Sequence, residues 1–228
     1  MAQQLILDLH PAPPPSLDNF VVGRNAAALE ALRQCERGRA IYLWGPHGVG
    51  RSHLLHAVCT SHEGYFHAAE SDPGSLQRIA TADTFSIPLV AVDDVQLLDA
   101  AGQAALFTIY NRWRESAATR HAFALVLAGD RSPLAMEVRE DLRTRLGWDL
   151  VFRLEQLTDA ERAQALCSRA AQRGLDLSPD VVAWLLTHHD RDMSRLTALV
   201  DALDRYSLAR HRAITLPLLK DLLASSEP

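Results

Sequence analysis

The chain has 228 residues, of which 48% are hydrophobic and 22% are charged, so it can bury a sizeable core in one large domain or two smaller ones. A net charge of −5 argues against a strongly cationic nucleic-acid surface. No apolar run approaches the ~20 residues of a membrane span, and no signal peptide is visible at the N-terminus. The three cysteines are far apart and fit neither a disulfide framework nor a metal site, so we expect a cytoplasmic protein without a membrane contact.

The first nine residues form an apolar-patterned tail that precedes a Pro-rich linker. Leu5, Leu7 and Leu9 alternate with other residues, as on one face of an extended strand, and the prolines of residues 10–15 stiffen the chain. One interpretation is a frayed tail or an edge strand packed on this protein. The other is a short peptide that docks into pockets of another protein, with Gln4 as its polar anchor.

A Gly-rich loop follows the first predicted strand, residues 40–44, and precedes a predicted helix that runs to about Cys59. This order is typical of a phosphate-binding P-loop, in which backbone N–H groups at the helix N-terminus hold the phosphates. The loop fits the pattern G-x-x-x-x-G-K-[ST], except that Arg51 replaces the lysine. We expect nucleotide contacts from the whole stretch, which comprises Gly45, Pro46, His47, Gly48, Val49, Gly50, Arg51, Ser52 and His53.

A pair of carboxylates provides a second polar signal about 40 residues downstream of the P-loop. Residues 89–92 form a continuous apolar run, as in a parallel strand buried on both faces, and the run ends in Asp93 and Asp94. Ligands bind at the carboxyl ends of such strands. Together with the P-loop, the pair predicts a Walker B arrangement in which Asp93 and Ser52 hold Mg²⁺ and Asp94 faces the attacking water.

The other elements alternate between strands and helices up to about residue 156, which predicts βαβ units and a parallel sheet. Further strands are predicted at 65–68, 123–128 and 150–154. Further helices are predicted at 26–35, 75–81, 99–119 and 135–146.

After residue 156 the pattern contains helices only. A capping box at Thr158 and further helix starts at Ser178, Asp190 and Thr215 predict a small helical domain. We therefore expect three parts along the chain. They are a docking peptide with its linker (1–15), a nucleotide-binding α/β domain (16–156) and a helical lid (157–228).

Taken together, these segments resemble the AAA+ module of the bacterial replication initiator DnaA, over nearly the whole chain. Within that family, residues 4–9 and 50–57 are similar to the Hda group of DnaA-related regulatory proteins. The resemblance implies an AAA+ P-loop domain with a parallel five-stranded sheet and a small all-helical lid. Besides the P-loop, the segments that carry it are residues 18–23, 92–96, 129–131 and 143–148.

The Hda resemblance implies a specific function. Members of that group hold ADP (or ATP, with Mg²⁺) and dock on the DNA-loaded sliding clamp, the beta subunit of DNA polymerase III. There they prompt DnaA to hydrolyse its bound ATP, which prevents re-initiation of replication. DnaA and the clamp are therefore the expected partners, and DNA is contacted mainly through the clamp. Gln4, Leu5, Leu7 and Leu9 match the clamp-binding peptide, although Asp8 stands where a proline is common.

Arg145 matches the arginine finger of the family, which reaches toward the γ-phosphate of a neighbouring subunit. A guanidinium there stabilises the charge that spreads over the γ-oxygens, an effect worth ~10³–10⁵ in rate. From its position alone, a solvated helix-surface arginine is the simpler interpretation. The resemblance also assigns Val22, Asp94, Asp130 and Arg195 to the nucleotide site.

Three departures from the family pattern affect the expected activity. Arg51 is bulkier and more forked than lysine, and Asp94 is shorter than the glutamate that many AAA+ proteins use to orient water. In the lid, Ser194 aligns with the usual arginine, so that either Arg195 or Arg191 takes its place or the contact is missing. We therefore expect a nucleotide-holding regulator with little hydrolysis of its own.

The alternative is an AAA+ ATPase that cycles its own nucleotide, such as a helicase loader or a DnaA-like remodelling factor. Brisk ATP hydrolysis by the purified chain would favour this alternative. The sequence leaves a homodimer open under either interpretation.

Overall fold

Five parallel strands form the sheet of the first compact unit, Pro15–Thr158. The computed structural model describes residues 14–59, 64–82, 87–189 and 192–226. The strand order is β2-β3-β4-β1-β5, and every pairing is parallel, which confirms the predicted fold class. The strands are β1 (Ala40–Trp44), β2 (Tyr65–His67), β3 (Leu89–Asp93), β4 (Ala124–Gly129) and β5 (Leu150–Arg153).

Helices cover both faces of this sheet, which is why its central strands consist of apolar residues. On one face, Leu76 and Leu106 pack with sheet residues such as Leu125 in one apolar cluster. On the other face, Leu29 and Leu54 pack in a second cluster. The helices of this unit are α1 (Ala26–Arg33), α2 (Arg51–Val58), α3 (Pro73–Thr81), α4 (Ala100–Ser116) and α5 (Glu140–Arg145).

The helix predicted over residues 135–146 is wrong in its first half. The structure has a 3₁₀ turn at Pro133–Ala135 and then α5, which starts only at Glu140. Between them the backbone N–H of Arg139 donates to Oε1 of Gln103, at 3.0 Å. The apolar spacing in this segment fits a helix, but a side chain of α4 takes the N–H that an earlier helix turn would use.

The second unit, which contains the described residues from Asp159 onward, consists of helices with a core of their own. Buried leucines from its helices, among them Leu166, Leu185, Leu203 and Leu218, form a separate apolar cluster. Asp201 is buried beside this core and pairs with Arg173 at 3.0 Å. The helices are α6 (Asp159–Gln172), α7 (Pro179–His188), α8 (Met193–Arg210) and α9 (Leu216–Ser226).

Several predicted features fall outside the described residues. They include the docking peptide with Gln4, Leu5, Leu7 and Leu9, the predicted helix start at Asp190, and Arg191. Within the described part of the chain, no helix combines the length and apolar character needed to cross a membrane.

Candidate functional site

The P-loop connects β1 to α2 and is held close to the sheet at its first glycine. The backbone N–H of Gly45 donates to the carbonyl oxygen of Gly129, at 3.3 Å. A Cβ at Gly45 would lie 2.7 Å from the carbonyl oxygen of Leu154, so no other residue fits there without a shift of the backbone. The loop therefore begins at the carboxyl ends of β4 and β5, at the edge where parallel sheets bind ligands.

The second half of the loop turns through two glycines with positive φ. Gly48 has φ +77° and Gly50 has φ +93°, a region that residues with a Cβ rarely adopt. The exposed side of the loop carries Pro46 and His47, whereas Val49 is buried in the apolar cluster beneath it. The Val49 side chain therefore anchors the loop, and any contribution of this residue to phosphate binding comes from its backbone.

The segment before α1 packs against the end of the P-loop. The ring of Phe20 lies beside Gly50 and also contacts His53, with ring centroids 5.7 Å apart. Nε2 of His53 lies 3.0 Å from the carbonyl oxygen of Ser16. Val22 is half-buried, and its carbonyl oxygen accepts a hydrogen bond from Asn25 at 2.8 Å. The predicted contribution of Val22 to the nucleotide site therefore comes from a segment that is fixed against the loop.

Asp93 ends β3 and is fully buried. Its carboxylate accepts a hydrogen bond from the Tyr65 hydroxyl at 3.1 Å and another from the backbone N–H of Asp94 at 2.8 Å. Burial, and then the nearby Asp93 charge, raises the pKa of Tyr65 well above its usual range, so this hydroxyl keeps its proton and remains a donor. The two donors fix the orientation of the Asp93 carboxylate.

Asp94 follows in a left-handed turn, with φ 49°, and its carboxylate is surrounded by polar groups. One oxygen lies 3.3 Å from Nη2 of Arg51 and accepts a hydrogen bond from the Gln96 amide at 2.9 Å. The other oxygen lies 3.5 Å from Nε2 of His67. The carboxylate that was expected to face water thus contacts the P-loop arginine directly.

Asp130 lies at the carboxyl end of β4, between the P-loop and the end of β3. Its backbone N–H donates to Oε1 of Gln96 at 3.2 Å, and its Oδ2 lies 3.4 Å from Nε of Arg131. Oδ1 is buried and has no hydrogen-bond partner among the described residues. The structure therefore brings Arg51, Asp93, Asp94 and Asp130 to one edge of the sheet.

The sequence analysis missed three residues of this edge: Tyr65, His67 and Gln96. His67 is the last residue of β2 and pairs in register with Asp93, so the rule that found the acidic pair could also have found it. Gln96 lies two residues after Asp94 and could have been found by the same rule. Tyr65 carried no signal, because its contact with Asp93 depends on the pairing of β2 with β3.

The candidate Mg²⁺ ligands are few. Among the described residues, no group of three or more His, Cys, Asp or Glu side chains is arranged to hold a metal ion. Asp93 is buried and oriented, and Ser52 is exposed on the first turn of α2. One carboxylate and one hydroxyl fit Mg²⁺ only if phosphate oxygens and water complete its coordination, which is the usual situation for Mg²⁺ with a nucleotide.

Arg145, the predicted finger, lies against aromatic side chains of its own unit. Its guanidinium carbon lies 3.5 Å from the ring centroid of Phe107 and 5.2 Å from that of Trp148. Its Nη1 donates a long hydrogen bond, 3.4 Å, to the carbonyl oxygen of Phe107. Desolvation lowers the pKa of Arg145 from its ordinary value. The simpler interpretation of a freely solvated surface arginine does not describe this contact.

Two more arginines extend the stack around Arg145. Arg114 lies 5.0 Å from the centroid of the Trp148 ring, and Arg139 lies 5.5 Å from that of Phe107. Three guanidinium groups thus alternate with two rings along α4 and α5. We call these five residues the arginine–aromatic surface. Trp148 is 43% exposed, so the surface is open to a partner.

Arg195, the predicted lid arginine, is exposed near the start of α8. Its backbone N–H donates to Oδ1 of Asp192 at 3.2 Å, which stabilises the first turn of that helix. The assignment of Arg195 to the nucleotide site stays a prediction.

Solved structures with similar folds include the replication initiation protein DnaA and RuvB. Domain III of the Thermotoga maritima initiation protein DnaA matches with a TM-score of 0.72 at 22% identity, over 95% of this chain and 98% of that one. DnaA from Aquifex aeolicus with AMPPCP matches with a TM-score of 0.64 at 22% identity, over 85% of this chain and 66% of that one. A variant of Thermotoga maritima RuvB matches with a TM-score of 0.64 at 19% identity, over 93% of this chain and 72% of that one.

The parallel sheet, the loop with its acidic pair and the helical second unit give this chain an AAA+ fold. Residues 159–223 match the family model described as the lid domain of Hda. The second unit therefore matches the lid domain of Hda over residues 159–223, and the chain as a whole shares the fold of domain III of DnaA.

Proposed function

We propose that this protein is a regulatory inactivator of DnaA. It holds ADP, docks on the DNA-loaded sliding clamp and stimulates the hydrolysis of ATP bound to DnaA, so that replication does not start again. The observation that carries this proposal is the match of residues 159–223 to the Hda lid domain. The fold alone would fit many AAA+ proteins, whereas the lid points to one regulatory group.

Arg145 is the residue that we propose acts on the partner. Phosphoryl transfer needs positive charge at the γ-oxygens, and a guanidinium supplied by a neighbouring subunit can provide it. In the described residues Arg145 has no carboxylate within ion-pairing distance, and it lies on an accessible surface. It can therefore exchange its aromatic contacts for a phosphate without first breaking an ion pair.

The nucleotide is proposed to bind at the P-loop edge of the sheet. A structure of DnaA bound to AMPPCP and single-stranded DNA has a matching fold, and the match covers 65% of that chain. In this chain the loop glycines, Arg51 and the first turn of α2 would hold the phosphates, and Asp93 with Ser52 would hold Mg²⁺. The buried Nη1 of Arg51 has no hydrogen-bond partner among the described residues, and a phosphate oxygen is an acceptor that suits it. When bound, Mg²⁺ would neutralise phosphate charge.

The clamp contact is proposed for the N-terminal peptide. Gln4, Leu5, Leu7 and Leu9 supply one polar anchor and three apolar side chains, as expected of a peptide that fills pockets on a partner. Docking would concentrate the protein near DNA without a cationic surface of its own, in agreement with its net charge of −5.

The decisive experiment measures hydrolysis of DnaA-bound ATP on clamp-loaded DNA, with and without this protein. We expect stimulation by the wild type and a loss of about 10³-fold in the stimulated rate for Arg145→Ala. Arg143→Ala is the matched control, because it removes an arginine from the same helix and should retain the stimulation. A Gln4→Ala/Leu7→Ala variant should stimulate poorly at limiting protein and lose clamp binding in a pull-down.

Three results would each contradict a part of the proposal. Equal stimulation by wild type and Arg145→Ala would exclude the finger. Rapid ATP turnover by the purified chain without DnaA or clamp would favour the alternative, an ATPase that cycles its own nucleotide. Full clamp binding by the tail variant would exclude the docking peptide alone.

A further inference from the structure

The P-loop arginine crosses the candidate site rather than remaining beside the loop. Arg51 begins α2, directly after the loop that follows β1, yet its Nη2 lies 3.3 Å from Asp94, which follows β3. In the sheet, β4 lies between β1 and β3. The Arg51 side chain therefore spans the carboxyl end of β4, across the edge at which a parallel sheet binds its ligand.

The two terminal nitrogens of Arg51 have different surroundings. Nη2 faces the Asp94 carboxylate, whereas Nη1 is buried and has no hydrogen-bond partner among the residues that the structure describes. The whole residue is only 9% exposed. A buried guanidinium nitrogen without an acceptor is costly, and a phosphate oxygen is the acceptor that a guanidinium fork matches best.

The Asp94 end of this contact is fixed from several sides. Asp94 lies in a left-handed turn. Its carboxylate accepts a hydrogen bond from the Gln96 amide at 2.9 Å and lies 3.5 Å from Nε2 of His67. Both carboxylate oxygens thus have protein neighbours. A carboxylate that has to orient an attacking water needs an oxygen lone pair that no protein group occupies, and Arg51 and Gln96 together occupy one oxygen of Asp94.

We propose that Arg51 bridges two partners: Nη1 binds the terminal phosphate of a nucleoside diphosphate while Nη2 remains on Asp94. We call this arrangement the Arg51 bridge. The nucleotide is then retained, and Asp94 is kept from activating water. A lysine has one ammonium group and cannot hold two separated partners with a fixed planar fork. This inference rests on the proposed binding of a nucleotide by this chain, and it adds a reason for the arginine in the loop.

Nucleotide affinity tests the phosphate end of the Arg51 bridge. ADP has the β-phosphate that Nη1 would bind, and AMP lacks it. We expect Arg51→Ala to weaken ADP binding by about 10- to 100-fold, the range of a lost charged hydrogen bond, and to leave AMP binding unchanged. Arg78→Lys is the control, because Arg78 forms an exposed ion pair with Asp72 at 2.9 Å and should change neither affinity.

Intrinsic hydrolysis tests the Asp94 end. Arg51→Lys keeps a cation for the phosphate and removes the guanidinium from the Asp94 oxygen that also accepts from Gln96, so that this oxygen can accept a hydrogen bond from water. Single-turnover ATP hydrolysis should therefore rise by at least about tenfold over wild type. Arg51→Ala should show no such rise, because it loses the phosphate contact as well. An unchanged rate in Arg51→Lys would overturn this half of the proposal.

A spectroscopic measurement on the wild type covers the case in which the alanine variant does not fold. ADP should shift the Arg51 guanidinium nitrogen resonances in an NMR spectrum, and AMP should not. Equal shifts with both nucleotides, or equal losses of ADP and AMP affinity in Arg51→Ala, would overturn the phosphate contact.

These measurements test the Arg51 bridge separately from the proposed regulatory function. They use this chain alone, so a failure to stimulate DnaA would leave them valid. If the wild type binds ADP but the Arg51 variants behave like wild type, only the proposed Arg51 bridge is wrong. If the wild type binds neither nucleotide, the nucleotide-holding part of the proposed function is wrong, and the Arg51 bridge is wrong with it.

Discussion

At the scale of single residues, Gly50 is constrained both by its backbone conformation and by a neighbouring ring. Its φ is +93°, and a Cβ there would lie 2.6 Å from Cε2 of Phe20. Gly50→Ala should therefore add a steric clash to the cost of a left-handed backbone, which is itself about 1 kcal/mol. We expect a loss of roughly 2–3 kcal/mol in the free energy of unfolding, measured by urea denaturation.

Gly174 provides the matched control for this prediction. Its φ is +73°, but a Cβ there would have no neighbour within 4 Å. Gly174→Ala should lose only the backbone contribution of about 1 kcal/mol. Equal losses for the two variants would show that Phe20 moves aside and does not constrain the loop.

The residues of the candidate site could be predicted only as far as chain order reveals them. The P-loop pattern and the acidic pair after an apolar run identified Arg51, Asp93 and Asp94 as members of one site. The direct contact between Arg51 and Asp94 could not be predicted, because it depends on the strand order, which places β4 between the two segments. The binding of nucleotide by these residues stays a prediction.

At the scale of elements, the arginine–aromatic surface connects α4 with the segment around α5. Given the proposed finger, Phe107 positions Arg145 through its ring face, 3.5 Å from the guanidinium carbon. Phe107→Leu keeps an apolar side chain and removes the ring, so the stimulated rate of DnaA hydrolysis should fall about 2- to 30-fold, as expected for one cation–π contact. Phe107→Tyr keeps the ring and should retain the rate.

Two readouts distinguish positioning from a general structural effect. The ADP affinity of both Phe107 variants should equal that of the wild type, because Phe107 lies outside the P-loop edge. A fall in the maximal rate with an unchanged half-saturating protein concentration would indicate positioning. Similar losses in the leucine and tyrosine variants would contradict the role of the ring face.

The predictability of the elements follows from how fully each is buried. Strands β1, β3 and β4 are buried along nearly their whole length, so each appears as an unbroken apolar run and its position could be predicted to within one or two residues. The helix predicted at 135–146 is wrong in its first half, where the backbone N–H of Arg139 donates to Gln103 of α4 and α5 begins at Glu140. Such a contact between distant segments has no local sequence signal.

At the scale of the whole molecule, the lid has a core of its own and should fold alone. Its apolar cluster is formed by residues of α6 to α9, and the buried Asp201 pairs with arginines of the same unit. We expect residues 157–228, expressed separately, to give a helical circular dichroism spectrum and a cooperative thermal transition. A gradual, non-cooperative loss of signal would contradict the proposed domain boundary.

Two leucines of α8 sharpen this prediction. Leu203 is fully buried, and Leu208 is 68% exposed. In the isolated lid, Leu203→Ala should cost about 2–5 kcal/mol and lower the transition temperature strongly, whereas Leu208→Ala should have little effect. Equal effects would show that the fragment does not keep this packing.

The stack of Arg145 on Trp148 has a practical consequence for optical measurements. An indole with two cations near its ring changes its emission when one of those cations leaves. Trp148 is 43% exposed and has Arg114 and Arg145 within 5.2 Å of its ring centroid. If Arg145 leaves its ring to reach a neighbouring subunit, the fluorescence of Trp148 should report the movement directly. A variant that retains Trp148 as its sole tryptophan would thus carry a built-in signal for assembly, readable before any phosphate is released.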